Sequence, residues 1–221
     1  MLTAAKRDFI TFMMSAQVLR FGDFVTKSGR RTPYFVNTGN YKTGAQSAKL
    51  GQFYAAFIKE TVGEKFDAMF GPAYKGIPLV TAAAGALARD HQIDKPFFFN
   101  RKEAKDHGEG GNTVGYCPKD GDRIVIVEDV ITAGTAIREV MPVLRSCAKV
   151  TVSDMFISVN RCEVGKTPGK TAVMEVAQEF GIAVHALITV QDIYEYLQEQ
   201  GGYEDVLKMM KTYMEQYCIF E

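Results

Sequence analysis

Apolar positions along this chain switch between two spacings, and the switches divide it into elements. Near the start, Phe9, Ile10, Phe12, Met13, Val18 and Leu19 recur at i, i+3, i+4 spacing, which predicts one helix across that stretch. Residues 26–43 are polar, with turn residues alternating with aromatics around Pro33-Tyr34-Phe35-Val36-Asn37, and short strands are expected there. Helical spacing returns over 45–61. From Phe66 onward, short apolar runs predict strands at 66–70, 96–100, 124–127, 150–159 and 184–190. Between and after them, helical spacing covers 78–89, 134–146, 172–180, 192–200 and 204–217, while 103–115 is polar and rich in glycine. Continuous apolar strands separated by helices are the pattern of a mainly parallel sheet covered on both faces. The expected fold class is therefore α/β, as a single domain over 1–221. Such sheets bind ligands at the carboxyl ends of their strands.

Composition narrows the ligand. Lys plus Arg and Asp plus Glu are equal at 26 each, so no basic bias draws the chain to nucleic acid or anionic lipid. A polyanion must be met by a local cluster of charge, which favours a small molecule and argues against nucleic-acid and membrane partners. Cys117, Cys147, Cys162 and Cys218 show no C-x-x-C pattern and no His at metal-ligand spacing, and are expected to be reduced. Charged Lys6, Arg7 and Asp8 near the start are followed by no signal-peptide core, and the longest weakly polar stretch, 77–88, is short of a membrane span. A cytoplasmic location is expected.

The strongest chemical signal is Ile124-Val-Ile-Val-Glu128-Asp129-Val130-Ile131-Thr132-Ala133-Gly134-Thr135-Ala136. A buried strand ends in two acids, and a turn of small residues then opens a helix. Free backbone N–H groups at a helix start, with Thr hydroxyls beside them, suit a phosphate. Adjacent carboxylates repel phosphate, and their natural partners are ligand hydroxyls such as those of a ribose. A second stretch, Phe70-Gly-Pro-Ala73-Tyr74-Lys75-Gly76-Ile-Pro78, sets small residues around one cation in a strand–helix loop. A third, Asn100-Arg101-Lys102-Glu103-Ala-Lys105-Asp106-His107-Gly-Glu-Gly-Gly111, has three cations and a histidine before a glycine-rich end and no apolar anchor. Such a segment is expected to be mobile when empty and able to close over a polyanion.

The first of these strings resembles the phosphoribosyl pyrophosphate (PRPP) signature of the type I phosphoribosyltransferases. The resemblance implies that Glu128 and Asp129 take the ribose hydroxyls and Thr132 to Ala136 the 5′-phosphate, with Val130 and Ile131 in the same PRPP-binding run. The second resembles the family's pyrophosphate loop, which implies PRPP contacts from Tyr74 and Lys75 and a non-proline cis peptide at Ala73–Tyr74. The third resembles the catalytic loop of bacterial orotate phosphoribosyltransferases, implying that Arg101, Lys102, Lys105 and His107 bind PRPP across the interface of a homodimer. Lys27 in Thr26-Lys-Ser-Gly-Arg30, and Phe35 and Val36, resemble the N-terminal segment of that branch, where the Lys meets PRPP and two aromatics cover the orotate ring. Val36 stands where the second aromatic is usual. Arg161, after the strand at 150–159, matches the orotate-carboxylate position, and the resemblance implies a further orotate contact from Thr132. The implied architecture adds an N-terminal hood, contributed mainly by about residues 1–45.

The resemblance thus implies transfer of phosphoribose from PRPP to orotate, giving orotidine 5′-monophosphate and pyrophosphate in pyrimidine synthesis. Lys75, Lys105 and His107 are the expected catalytic cations, with Mg²⁺ held mainly through PRPP and not directly by the protein. Two rivals stay open. One is a phosphoribosyltransferase for a purine or uracil, which Arg161 opposes, since a base without a carboxylate would leave a buried Arg unpaired. The other is a regulator that keeps the PRPP site and binds nucleic acid, which the balanced charge opposes. His91 and His185 lack acids or Cys at motif spacing and read as structural.

Overall fold

A computed structural model describes residues 2–25, 29–102 and 112–220. The first helix, α1 (Ala4–Ser15), is capped by the Thr3 hydroxyl, which accepts from the Lys6 N–H. It stops earlier than its apolar spacing predicts. Gln17 adopts φ 56°, the chain reverses, and Leu19 opens a strand, β1 (Leu19–Val25). Val18 and Leu19 are buried as a helix face would be, but after the reversal they are buried from an extended backbone. Tertiary packing overrode the period there. Antiparallel pairing of β1 with β2 (Arg31–Val36) makes a two-stranded sheet, with Leu19 opposite Val36, and a short 3-10 turn at Thr38–Asn40 follows.

Helix α2 (Gly44–Val62) opens with a capping box between Thr43 and Gln46. The chain then builds β3 (Ala68–Gly71), α3 (Gly76–His91), β4 (Phe97–Asn100), β5 (Thr113–Gly115), β6 (Arg123–Val127), α4 (Thr135–Cys147), β7 (Thr151–Asn160), α5 (Ala172–Phe180), β8 (Ala183–Thr189), α6 (Val190–Gln200) and α7 (Glu204–Tyr217). The six strands β3 to β8 form one sheet in the order β5-β4-β3-β6-β7-β8, parallel at every pairing except β4 with β5. The short edge strand β5 was not expected, because its Thr-Val-Gly sequence carries no apolar alternation. Its position comes from the backbone of β4.

Both faces of the sheet are covered. Val125 and Val127 face one apolar core with α1, α2, α3, α6 and α7, and Ile124 and Ile126 face a second with α4 and α5. That two-sided burial is why the strands read as unbroken apolar runs. Each such side chain contributes about 1.5–3 kcal/mol. His185 Nε2 sits 2.8 Å from Asp154 Oδ1 across β7 and β8, and its ring stacks on Phe156, in keeping with a structural role. No disulfide joins the four cysteines. Among the described residues no helix is long and apolar enough to cross a membrane.

From β3 the chain runs outward to β4 and β5, then returns across β3 to β6 and continues the other way. The order reverses between β3 and β6. A crevice opens at such a switch point, at the carboxyl ends of the strands.

Candidate active site

Ladder bonds carry β6 past its last strand residue: the Glu128 N–H donates to Phe156 O at 2.9 Å, and the Ser158 N–H to Asp129 O at 2.8 Å. Both acids are therefore fixed by their backbones, and both are buried. The fully buried Tyr54 hydroxyl of α2 adds a third hold, donating to Glu128 O at 2.7 Å and lying 2.7 Å from Ser158 Oγ. Glu128 Oε1 accepts the Asp129 N–H at 2.9 Å. Burial first, and then the Asp129 carboxylate, push the Glu128 carboxyl up to about 8, so it keeps its proton at neutral pH.

Asp129 meets two other segments. Its Oδ2 accepts from Lys75 Nζ at 3.1 Å and from Thr38 Oγ1 at 2.5 Å. Lys75 belongs to the β3–α3 loop, on the other side of the crevice. Strand and helix pass so closely there that a Cβ on Gly71 would lie 2.2 Å from Gly76 O. The Ala73–Tyr74 peptide is cis, as the resemblance implied, and the Ala73 N–H donates to the buried Asn100 Oδ1 at 2.8 Å. Tyr74 stands exposed.

On the β6 side a cavity of about 250 Å³ is lined by Glu128, Val130, Ile131, Thr132, Gly134 and the first residues of α4, with Met155 behind. Gly134 caps α4 in the left-handed region, φ 69°, which turns the chain sharply into the helix. The first N–H groups of α4 have no intrahelical partner, and Thr135 and Ala136 at this end are exposed. An anion is the ligand such a turn favours.

At the end of β7, Arg161 is largely buried and already partnered. Its Nε donates to the Tyr34 hydroxyl at 3.3 Å, its Nη2 pairs with Glu163 Oε1 at 2.6 Å, and its Cζ lies 5.3 Å from the Tyr34 ring centre. Glu163 also accepts from Tyr213 of α7 at 2.5 Å and from Arg30 at 3.3 Å. Contrary to expectation, a base without a carboxylate would not leave Arg161 unpaired, because the protein itself supplies the counter-charge through Glu163. No hydrogen bond to Nη1 occurs among the described residues.

Residues 37–152 match the phosphoribosyl transferase domain family. Orotate phosphoribosyltransferase of Clostridium beijerinckii is 50% identical over 196 residues, 89% of this chain and 87% of that protein. The Vibrio cholerae enzyme of that name is 47% identical over 99% of this chain and 100% of its own. A crystal structure of the Francisella tularensis orotate phosphoribosyltransferase superposes with a TM-score of 0.85 at 38% identity, covering 96% of this chain and all of that one. The chain belongs to the orotate phosphoribosyltransferase family.

Of the residues singled out by family resemblance, Lys75, Glu128, Asp129 and the 130–136 run converge on one crevice. Arg101 and Lys102 leave β4 at the same edge of the sheet. The Arg101 N–H donates to Asn112 O at 2.7 Å, its Nε is buried with no partner among the described residues, and Lys102 Nζ lies 3.2 Å from Glu139 of α4. Phe35 packs against Phe24 and lies under Arg20, and Val36 is half-buried against the main core. Lys27, Lys105 and His107 lie outside the described residues, as does Asp106.

Several neighbours of the site escaped the sequence reading. Thr38 carries no motif of its own. Tyr54 and Ser158 left a weak signal, a hydroxyl inside an otherwise apolar stretch that must find a buried partner. Glu163 and Arg138 act from outside the recognised strings, and each is tied to a residue far along the chain, Tyr213 and Glu179.

Proposed function

We propose that this protein is an orotate phosphoribosyltransferase, moving the 5-phosphoribosyl group of PRPP to orotate with release of pyrophosphate. The observation that carries the reading is the crevice where Lys75 crosses to Asp129 beside the small-residue turn that opens α4. A cation, two acids and a helix start match pyrophosphate, ribose hydroxyls and 5′-phosphate in turn. In this reading Glu128 and Asp129 hold the ribose, Val130 to Ala136 the 5′-phosphate, and Tyr74 and Lys75 the pyrophosphate. Arg161 takes the orotate carboxylate through the nitrogen its protein partners leave over, with Phe35, Val36 and Thr132 around the ring, while Lys27 contacts PRPP.

The chemistry is displacement at the anomeric carbon. Orotate N1 gives up its proton and forms the new bond to C1, the C1–oxygen bond breaks, and its electron pair leaves on pyrophosphate, which can take up the released proton. The protein supplies no nucleophile. It orients the two substrates and sets cations where negative charge builds up. Glu128, holding its proton, and Asp129 fix the sugar face; Lys75 faces the leaving group, and Arg101, Lys102, Lys105 and His107, on a loop that reaches across the interface of a homodimer, complete it. A hood contributed mainly by about residues 1–45 covers the orotate side of a single domain.

Mg²⁺ is the implied metal. Among the described residues no cluster of three His, Cys, Asp or Glu side chains could hold an ion alone. A pair of carboxylates beside a phosphate site does fit Mg²⁺, which keeps waters and prefers phosphate oxygens. Carried by PRPP, it would neutralise pyrophosphate charge, and the residues that hold PRPP would hold it. The cytoplasm is the expected location.

Loss of orotate absorbance in the presence of PRPP and Mg²⁺ tests the reaction, with uracil and purine bases as parallel acceptors. Orotate alone should be consumed; turnover of another base without orotate would overturn the assignment. For the shared site, Asp129→Asn and Lys105→Ala chains are unfolded and refolded together. About a quarter of wild-type activity should return, because random pairing makes half the dimers mixed and each mixed dimer holds one intact site. A mixture that contains mixed dimers yet stays as inactive as either parent would mean each loop serves its own chain.

A further inference from the structure

We propose that Arg138 and Glu179 are positioning residues for PRPP, holding the turn at 132–136 from behind through the Ala133 carbonyl. The proposal rests on the reading of that turn as the 5′-phosphate site, and deepens it. Arg138 lies in the first turns of α4 and folds back over the residues that precede the helix. Its Nη1 donates to Ala133 O at 2.5 Å. Its Nε donates to Glu179 Oε2 at 2.8 Å, and Nη2 lies 2.7 Å from the same oxygen. Glu179 stands near the end of α5, on a separate element of the second core.

The turn has to present N–H groups to a phosphate, and a backbone that does so sends carbonyl oxygens the other way. Those oxygens need donors on the far side. Arg138 supplies one for Ala133, and it does so under constraint. A Cβ on Gly134 would fall 2.9 Å from Arg138 Nη1 and 2.7 Å from Val176 Cγ2, so the guanidinium and α5 press directly on the backbone of the turn. A planar fork can bind a carbonyl with one nitrogen while its other edge grips a carboxylate; a lysine ammonium cannot span both. Behind this brace lies a second, polar cavity of about 410 Å³, lined by Arg138 and Glu179 with Lys166, Thr167, Lys170 and Glu175. Its groups are tied to one another: Glu175 accepts the Thr167 N–H at 2.5 Å, and Lys170 bonds Gln178. The turn is thus seated on a framework of linked side chains from α4, α5 and the segment before α5.

A simpler role for Arg138, attraction of the phosphate by charge alone, makes the opposite forecast for Glu179. Removing a nearby anion would strengthen such attraction, whereas removing an anchor loosens the turn. Calorimetry of PRPP and of pyrophosphate, each with Mg²⁺, on wild type, Arg138→Lys, Glu179→Gln and Thr135→Val separates them. Arg138→Lys keeps the charge and should weaken PRPP roughly tenfold, and Glu179→Gln roughly threefold, given that the pair is partly exposed. Pyrophosphate, which lacks the 5′-phosphate, should bind both variants as it binds wild type. Tighter or unchanged PRPP binding by Glu179→Gln, or equal losses for both ligands, would overturn the proposal. Thr135→Val alters the turn itself and should lose PRPP. If it does not, the phosphate-turn reading fails and the brace falls with it; if only the two brace variants bind normally, the brace alone is wrong.

Discussion

Two ends of adjacent strands, β6 and β7, carry the principal charges of this site, and they are built in opposite ways. After β6, Glu128, Asp129 and the turn to α4 are consecutive in sequence, held by ladder bonds and open to a cavity. After β7, Arg161 is held by Tyr34 of β2 and by Glu163 of its own strand end, which answers its charge and is itself bonded by Tyr213 of α7. In the proposed reading the first is an open receptor for a polyanion and its sugar. The second is a partly buried cation whose charge is answered by a partly buried counter-ion. A site for two substrates thus has one half that awaits its ligand and one half that is electrically complete without it.

The largest test of that contrast is Asp129→Asn. It removes the negative charge that Lys75 and Thr38 share and turns one carboxylate oxygen into a donor, weakening the proposed ribose contact as well. Catalytic efficiency toward PRPP should fall by two to three orders of magnitude, about 3–4 kcal/mol, in steady-state kinetics. Glu128→Gln should cost far less, because that carboxyl already carries a proton at neutral pH; equal losses would mean the two acids are equivalent.

On the β7 side, Arg161→Ala should weaken orotate by about 2–3 kcal/mol and leave PRPP binding intact by calorimetry. Parallel weakening of both ligands would show that the two halves are not separate.

Stability should vary with pH through Glu128. Its folded-state value of about 8 lies above the ordinary 4.5, so the native protein holds a proton that the unfolded chain releases. This contribution to stability is therefore lost as pH rises from about 4.5 to about 8, and is level above that. Glu128→Gln should flatten the slope across that window in denaturant titrations at fixed salt. An unchanged slope would place the burial effect elsewhere.

The smallest effect is Tyr213→Phe, which removes one donor to Glu163. A loss of about 1 kcal/mol in unfolding free energy is expected, with PRPP affinity unchanged. No loss at all would mean that Glu163 is held well enough by Arg161 and Arg30.

Local pattern explains what could be read in advance. Strand and helix positions from β3 onward follow from apolar period, and the acid pair, the Lys75 loop and the α4 turn are contiguous strings whose chemistry needs no partner to be recognised. The cis bond at Ala73–Tyr74 followed from the same resemblance. Where local signals misled, long-range packing was the cause. Val18 and Leu19 fitted the helix period of α1, yet their burial belongs to β1 and the core it closes. The edge strand β5 exists because β4 offers it a ladder.

Sequence alone, then, determined the α/β class, most strands and helices from β3 onward and the strings that gather at the carboxyl edge of the sheet, since these depend on period and on neighbours along the chain. Only the tertiary structure decided which side chains hold those residues in place. Tyr54 reaches Glu128, Thr38 reaches Asp129, Tyr34 reaches Arg161, Tyr213 reaches Glu163, and Glu179 reaches Arg138, each across dozens of residues. Hydrogen bonds of that kind are set by how the layers pack, and nothing in the spacing of the chain announces them.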